Sequence, residues 1–182
     1  ELNNYLFTEL GFSGNKDDYY DPRNSYLNEV IDRRVGLPIT LSVVYLEVAR
    51  RLGIEACGIS FPGHFLVGIK TETDELIVDA FDNGASLPRA AFLQRLLERS
   101  QQGATLEVLE RSLQPASNAE ILLRQLRNLK AIYSEKGLVE KSLNTINHML
   151  SVNADLMPEL LERGALYDTL GYARGAAEDY AR

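Results

Sequence analysis

The sequence predicts an α+β protein: a buried central helix packed on a small antiparallel sheet, followed by an all-α segment. Three observations predict it. The run PITLSVVYLEVARRLG, Pro38 to Gly53, carries apolar residues most of the way round a helix, which suits a helix enclosed by other elements. Three short apolar runs of strand length follow it: IEACGIS, HFLVGIK and ELIVDAF. From Ser117 onward the pattern is helical, and it repeats: Tyr133 and Tyr167 are 34 residues apart.

Composition sets the outer limits. Of 182 residues, 45% are hydrophobic and 25% charged, the balance of a globular chain able to bury a core. No apolar run approaches the roughly 20 residues of a membrane span, and no secretory signal is legible. The net charge of −7 argues against a nucleic-acid partner, which calls for a basic face. One cysteine excludes an internal disulfide and fits a reducing, cytoplasmic setting. His64 and His148 are too far apart, and Cys57 too isolated, to give metal-ligand spacing. NKDDYYD lacks the spacing and terminal Glu of a calcium loop. Neither a metal nor a cofactor is expected.

Along the chain, a short helix and the polar loop GFSGNKDDYY precede DPRNSYLNEVIDRR, Asp21 to Arg34. The latter reads as one helix, with Asp21 as N-cap and Pro22 in its first position, ended by Gly36. Pro38 opens the central helix and Gly53 stops it. Asn83-Gly84 marks a turn, and Pro88 opens a further helix to about Ser100. ATLEVLERSLQP is ambiguous between strand and helix. SNAE, Ser117 to Glu120, is a capping box. Beyond it Gly137 matches Gly171, Ser142 matches Ala176 and Ile146 matches Tyr180 at the same offset. A period of 34 residues built from helix–turn–helix units is that of the tetratricopeptide repeat. In the second copy Gly164, Tyr167, Gly171, Ala176 and Tyr180 supply the small and aromatic packing positions. These readings place a first domain at 1–105, and a linker with helical repeats at 106–182.

The chemistry centres on SFPGHFLVGI. If HFLVGIK and ELIVDAF pair across an even loop, His64 lies opposite Phe81 and Leu66 opposite Asp79. Alternation then puts His64 and Asp79 on one face as diagonal neighbours. A carboxylate that accepts from one imidazole nitrogen fixes the tautomer and makes the other nitrogen a better base. A nucleophile is harder to find. Cys57 lies within an apolar strand, where a small core residue is expected. The N-terminus of the central helix, which would activate a cysteine, offers Pro38, Thr40 and Ser42 instead. Its hydroxyls are expected to bond backbone or to pack.

The order of helix, strand, His-strand and Asp-strand resembles the transglutaminase-like superfamily, whose fold is that of papain-like cysteine proteases. ARRLGIEACG resembles that family's turn after the central helix. His64 and Asp79 match its His and Asp, and the family's spacing places the nucleophile at Pro38. Proline has no nucleophilic group, so the Cys–His–Asp chemistry does not carry over. A longer match, DPRNSYLNEVIDRRVGLPITLSVVYLEVARRLGI through FPGHFLVGI and then repeat-like helices, resembles the bacterial Sir-B-type family. The resemblance implies a transglutaminase-like core without the usual cysteine, joined to C-terminal repeats and linked to regulation.

Two functions follow as expectations. The first is a non-catalytic module that binds a protein or peptide in a groove between the central helix's N-terminus and the His64 face. Asn24, Arg33, Arg34, Pro38, Thr40 and His64 would line it, and the repeats would add a protein-binding surface. The second is a hydrolase or acyl-transfer enzyme in which His64–Asp79 acts as general base, with backbone N–H groups near Leu37–Thr40 as an anion hole.

Overall fold

A computed structural model describes residues 1–99 and 105–182. A short π-helical segment, Asn4–Glu9, begins the chain. Strand β1 (Ser13–Gly14) pairs in parallel with β2 (Val35–Gly36). Between them the expected single helix is divided in two. Pro22–Ser25 forms a 3-10 turn capped by Asp21, whose carboxylate accepts from the Arg23 N–H. Tyr26 is extended, and α1 (Leu27–Arg33) starts after it. Asn24 and Ser25, at the end of the first piece, are fully buried. The helix ends at Arg34, which adopts the left-handed conformation with φ 57°. Gly36 lies beyond it in β2.

Helix α2 (Pro38–Arg51) is the central helix, and Gly53 follows it with φ +73°. Strands β3 (Ala56–Ile59), β4 (Leu66–Lys70), β5 (Glu75–Asp79) and β6 (Ala85–Pro88) form an antiparallel meander in that order. The fourth strand, ASLP, carries no strand signal in the sequence. It forms because the turn after Asp79 returns the chain along β5, with Asp79 opposite Ala85. Helices α3 (Arg89–Arg99) and α4 (Leu106–Ser112) follow. The ambiguous segment is therefore helical, started by the Thr105 hydroxyl accepting from Val108 N–H. The expected helix end at Ser100 lies outside the described residues.

Alternation along the strands separates two cores. Val67, Val78 and Ala80 pack with Leu41, Tyr45 and Ala49 of α2, and Leu6, Phe12 and Val30 join them. On the other face Ile59, Leu66 and Ile77 pack with Leu93 and Leu113. The central helix is thus covered by the sheet and by the N-terminal segment, as its all-round apolar pattern requires. Tyr45 is buried deeply enough to push its phenol up to about 12. Its hydroxyl donates to Asn3 Oδ1 at 2.7 Å.

The segment after α4 completes this unit. Ile59 bridges to Pro115, and Ala116 N–H donates to the Gly58 carbonyl at 2.7 Å. Ser117 and Glu120 make the expected reciprocal cap at the start of α5 (Asn118–Glu135). Ile121 packs on Leu37, Ile39 and Phe65. The compact units divide at Ile121/Leu122, whereas the junction expected at 105/106 adjoins residues 100–104, which are not described.

The second unit continues α5 and adds α6 (Val139–Val152), α7 (Met157–Thr169) and α8 (Ala173–Tyr180). The two helix–helix turns are copies at an offset of 34 residues. Gly137 and Gly171 both have positive φ, at 65° and 75°. Leu138 N–H donates to Tyr133 O, and Tyr172 N–H to Tyr167 O. Ile146, Leu150 and Leu160 form the core. Gly164 lies against the Tyr180 ring, where a Cβ would come within 2.5 Å. Arg163 donates twice to the buried Asp179 carboxylate, at 2.7 and 2.6 Å.

One glycine tests the packing. A Cβ at Gly58 would stand 2.9 Å from the Phe65 ring and 3.1 Å from Ile121. Phe65 is 1% exposed and cannot swing away. Gly58→Ala is expected to lose about 1–3 kcal/mol in urea unfolding; unchanged stability would mean that this contact is slack.

Candidate functional site

The site starts from a tight turn. Phe61-Pro62-Gly63-His64 closes with His64 N–H donating to the Phe61 carbonyl at 3.0 Å. Proline fixes the first corner, and Gly63, at φ +70°, supplies the second. The turn leaves His64 two residues before β4.

Strand register brings the carboxylate to it. Val67 pairs with Val78 and Lys70 with Glu75, across the four-residue loop Thr71–Asp74. This is the even loop that the dyad requires. His64 Nε2 and Asp79 Oδ2 lie 2.8 Å apart, with both side chains a little over a quarter exposed. Continuing the register sets His64 opposite Phe81, and the two rings meet edge-on at 6.2 Å.

Asp79 is itself held. Its other oxygen accepts from the backbone N–H groups of Phe81 and Asp82, at 3.0 and 3.2 Å. Burial pushes the carboxyl up, but the hydrogen bond and charge of His64, with those two amides, outweigh it. Asp79 therefore ionises below the ordinary carboxylate range. An ionised Asp79 that accepts from Nε2–H leaves Nδ1 as the unprotonated nitrogen of neutral His64. Among the described residues Nδ1 has no hydrogen-bond partner.

Among the described residues, none of the three candidate nucleophiles is placed to meet Nδ1. Cys57 pairs with Gly68. Gly68 lies four residues along the chain from His64, a separation of roughly 13 Å at strand spacing. The thiol is half-buried, and burial first, then Glu75, push its pKa up; it is neither near nor activated. Thr40 and Ser42 are both 0% exposed, so neither hydroxyl meets solvent.

The expected rim is corrected at three positions. Asn24, Pro38 and Thr40 lie inside the protein, not along a groove. Every residue from Gly36 to Ser42 is buried. The first turn of α2 is closed over by its own packing: Leu37 and Ile39 lie on Phe65 and Ile121. The anion hole expected near Leu37–Thr40 is likewise reduced. Leu37 N–H donates to Thr40 Oγ1 at 2.9 Å, and Pro38 has no N–H. Thr40 Oγ1 in turn donates to the Asn24 carbonyl at 2.8 Å.

Asn24 has an internal task. Its amide donates to the carbonyls of Asp18 and Tyr19, at 2.7 and 3.2 Å, and its Oδ1 accepts from Asn15 at 3.0 Å. It fixes the loop that carries Tyr19 and Tyr20. Arg34 is exposed and donates to the Leu10 carbonyl at 2.8 Å. Arg33 lies 3.5 Å from the buried Asp21. His148 is exposed on α6.

Sequence reasoning missed the surroundings of the dyad. Tyr19 stands edge-on to Phe81 at 5.9 Å, and Tyr20 edge-on to Tyr19 at 5.4 Å. The signal was a pair of aromatics in a polar loop. Gly14 admits the Phe81 ring, where a Cβ would come within 2.5 Å. Among the described residues no group of His, Cys, Asp and Glu is arranged to hold a metal ion. No described helix is long and apolar enough to cross a membrane.

A helix packed on an antiparallel meander, with an imidazole just before one strand and a carboxylate on the next, defines an α+β protein with a His–Asp pair. The chain belongs to the transglutaminase-like superfamily, whose family model matches residues 1–127. It is 41% identical to a UPF0162 protein of Xylella fastidiosa, over the whole of this chain and 65% of that protein. It is 28% identical to a UPF0162 protein of Vibrio cholerae, over 96% of this chain and 64% of that one. It is also 30% identical to mouse F-box only protein 21, over 93% of this chain and 28% of that protein. The chain thus spans about 65% of the length of the Xylella relative. No solved structure matches it.

Two outcomes test this geometry. Asp79 has a folded-state pKa below its unfolded one, so the unfolded chain binds the proton more readily. The stability that Asp79 supplies is complete above the ordinary value of about 3.9. It is lost as pH falls through the lower, folded value. Stability in urea should therefore fall less steeply from pH ~5 downward in Asp79→Asn than in the wild type; parallel curves would contradict the held carboxylate. Asn24→Ala should lose about 1–3 kcal/mol and speed hydrogen exchange in the 15–20 loop. Exchange as slow as in the wild type would show that the loop does not depend on it.

Proposed function

We propose that this chain is a transglutaminase-like module of the Sir-B type, which binds a protein or peptide segment at the His64–Asp79 site without covalent catalysis. The observation that carries this reading is the pairing of an intact dyad with an α2 N-terminus that has no nucleophile. Pro38 occupies the family position and is buried, and the single thiol is out of reach. Asp79-held His64 then acts as an oriented hydrogen-bonding group at a partly exposed strand end. The 34-residue repetition of the helical hairpins supports a tetratricopeptide-like second segment, whose usual work is protein recognition. The acidic balance favours a partner that is neither nucleic acid nor membrane, and the single cysteine favours a reducing, cytoplasmic setting.

A second reading has one observation in its favour. Nδ1 of His64 is unengaged and backed by an ionised carboxylate, the arrangement of a general base acting on water. One experiment separates the two. Wild type, His64→Ala and Asp79→Asn are assayed on a panel of esters and amides and, in parallel, for binding to an immobilised peptide array. The binding reading expects no turnover, and array signals that His64→Ala removes. Turnover lost in Asp79→Asn would replace it with the hydrolytic reading, and array signals indifferent to His64→Ala would remove the dyad from binding.

A further inference from the structure

The rings beside the dyad form a connected series. His64 touches Phe81, Phe81 touches Tyr19, and Tyr19 touches Tyr20, each edge-on at 5.4–6.2 Å. Tyr19 is 36% exposed and Tyr20 57%. Exposed aromatic surface of this kind ordinarily costs free energy, and a floppy loop would fold it away. Here it is held out. The fully buried Asn24 fastens the carbonyls of Asp18 and Tyr19. The Asn15 side chain accepts from Asp18 N–H at 2.9 Å, and Asn15 N–H donates to the Gly36 carbonyl at 3.0 Å. An interior amide is therefore spent on presenting two tyrosines, a preorganised aromatic surface of the kind that binds at low entropic cost.

The charges around it are mostly negative. Asp17 and Asp18 are exposed on the same loop. Asp79 and Asp82 lie at the far end of the series, and Lys16, the loop's basic residue, is joined to Asp82 at 3.5 Å. Arg23 is engaged by Asp21, 2.8 Å away. Two cations, Lys16 and Arg23, thus stand against five aspartates: Asp17, Asp18, Asp21, Asp79 and Asp82. Tyrosine faces flanked by carboxylates suit a flat, weakly hydrated cation, and a guanidinium above all.

We propose that Tyr19, Tyr20 and Phe81 form an aromatic shelf that selects an arginine side chain of a peptide partner and holds the adjoining backbone beside His64–Asp79. This deepens the peptide-binding reading and rests on it. Tyr20 is the specificity-determining residue, because it is the most exposed ring of the three and ends the series. Asn24 acts through the loop, as a positioning residue.

A phage-displayed library of random heptapeptides, panned on wild type, His64→Ala, Tyr20→Ala and Tyr20→Phe, tests it. Winners on wild type should be enriched in arginine and should be lost on His64→Ala. Their affinity should fall roughly two- to fivefold on Tyr20→Ala, the size of an exposed cation–ring contact, and should be kept on Tyr20→Phe. Winners that depend on His64 but show no arginine excess, or that ignore Tyr20→Ala, would overturn the shelf and leave the binding reading standing. Winners sensitive to neither residue would overturn both.

Discussion

Thr40 stands in the first turn of α2 with no exposed surface, and its hydroxyl joins two segments. It accepts the Leu37 N–H and donates to the Asn24 carbonyl. The first contact satisfies the buried Leu37 N–H at the start of the helix. The second fastens that helix to the 3-10 turn before α1. Asn24, so fixed, spends its side chain on the 15–20 loop. Thr40 thus links the interior of the fold to the tyrosines beside His64. A valine there would match the volume and leave a buried N–H and a buried carbonyl without partners.

This linkage shows how the fold closes over the start of α2. The first turn of α2 opens with Pro38, a good first-turn residue, and is covered by Leu37 and Ile39 packing on Phe65 and Ile121. Phe65 is the next residue after His64, so the packing that closes the α2 turn also steadies the histidine's backbone. The dyad is kept by other means: a Pro-Gly turn, a four-residue hairpin loop and two backbone amides on Asp79. None of these depends on a thiol.

Much of the fold was legible because it follows from local chemistry. The all-round apolar pattern of Pro38–Gly53 requires enclosure, and the structure encloses it. Pairing His64 with Asp79 needed only strand alternation and an even loop. The remainder depends on tertiary context. ASLP has no strand pattern and pairs because β5 offers an edge. Asp21–Arg34 reads as one helix from its caps, but the chain is extended at Tyr26 and divides there. Asn24, Pro38 and Thr40 looked like rim residues because polar or first-turn positions are usually wet, and sequence does not reveal that Ile121 packs at that end of α2. Tyr19 and Tyr20 were passed over because a polar loop gives no sign that a buried amide holds it rigid.

The central claim is that Asp79 holds His64 in one tautomer, with Nδ1 open and no protein nucleophile beside it. Nitrogen-15 correlation spectra of the imidazole rings, recorded where histidine is neutral, test it most directly. The structure predicts that His64 carries its proton on Nε2, and that Asp79→Asn changes the pattern while His148 stays as it was. A proton on Nδ1, or a His64 spectrum indifferent to Asp79→Asn, would contradict it.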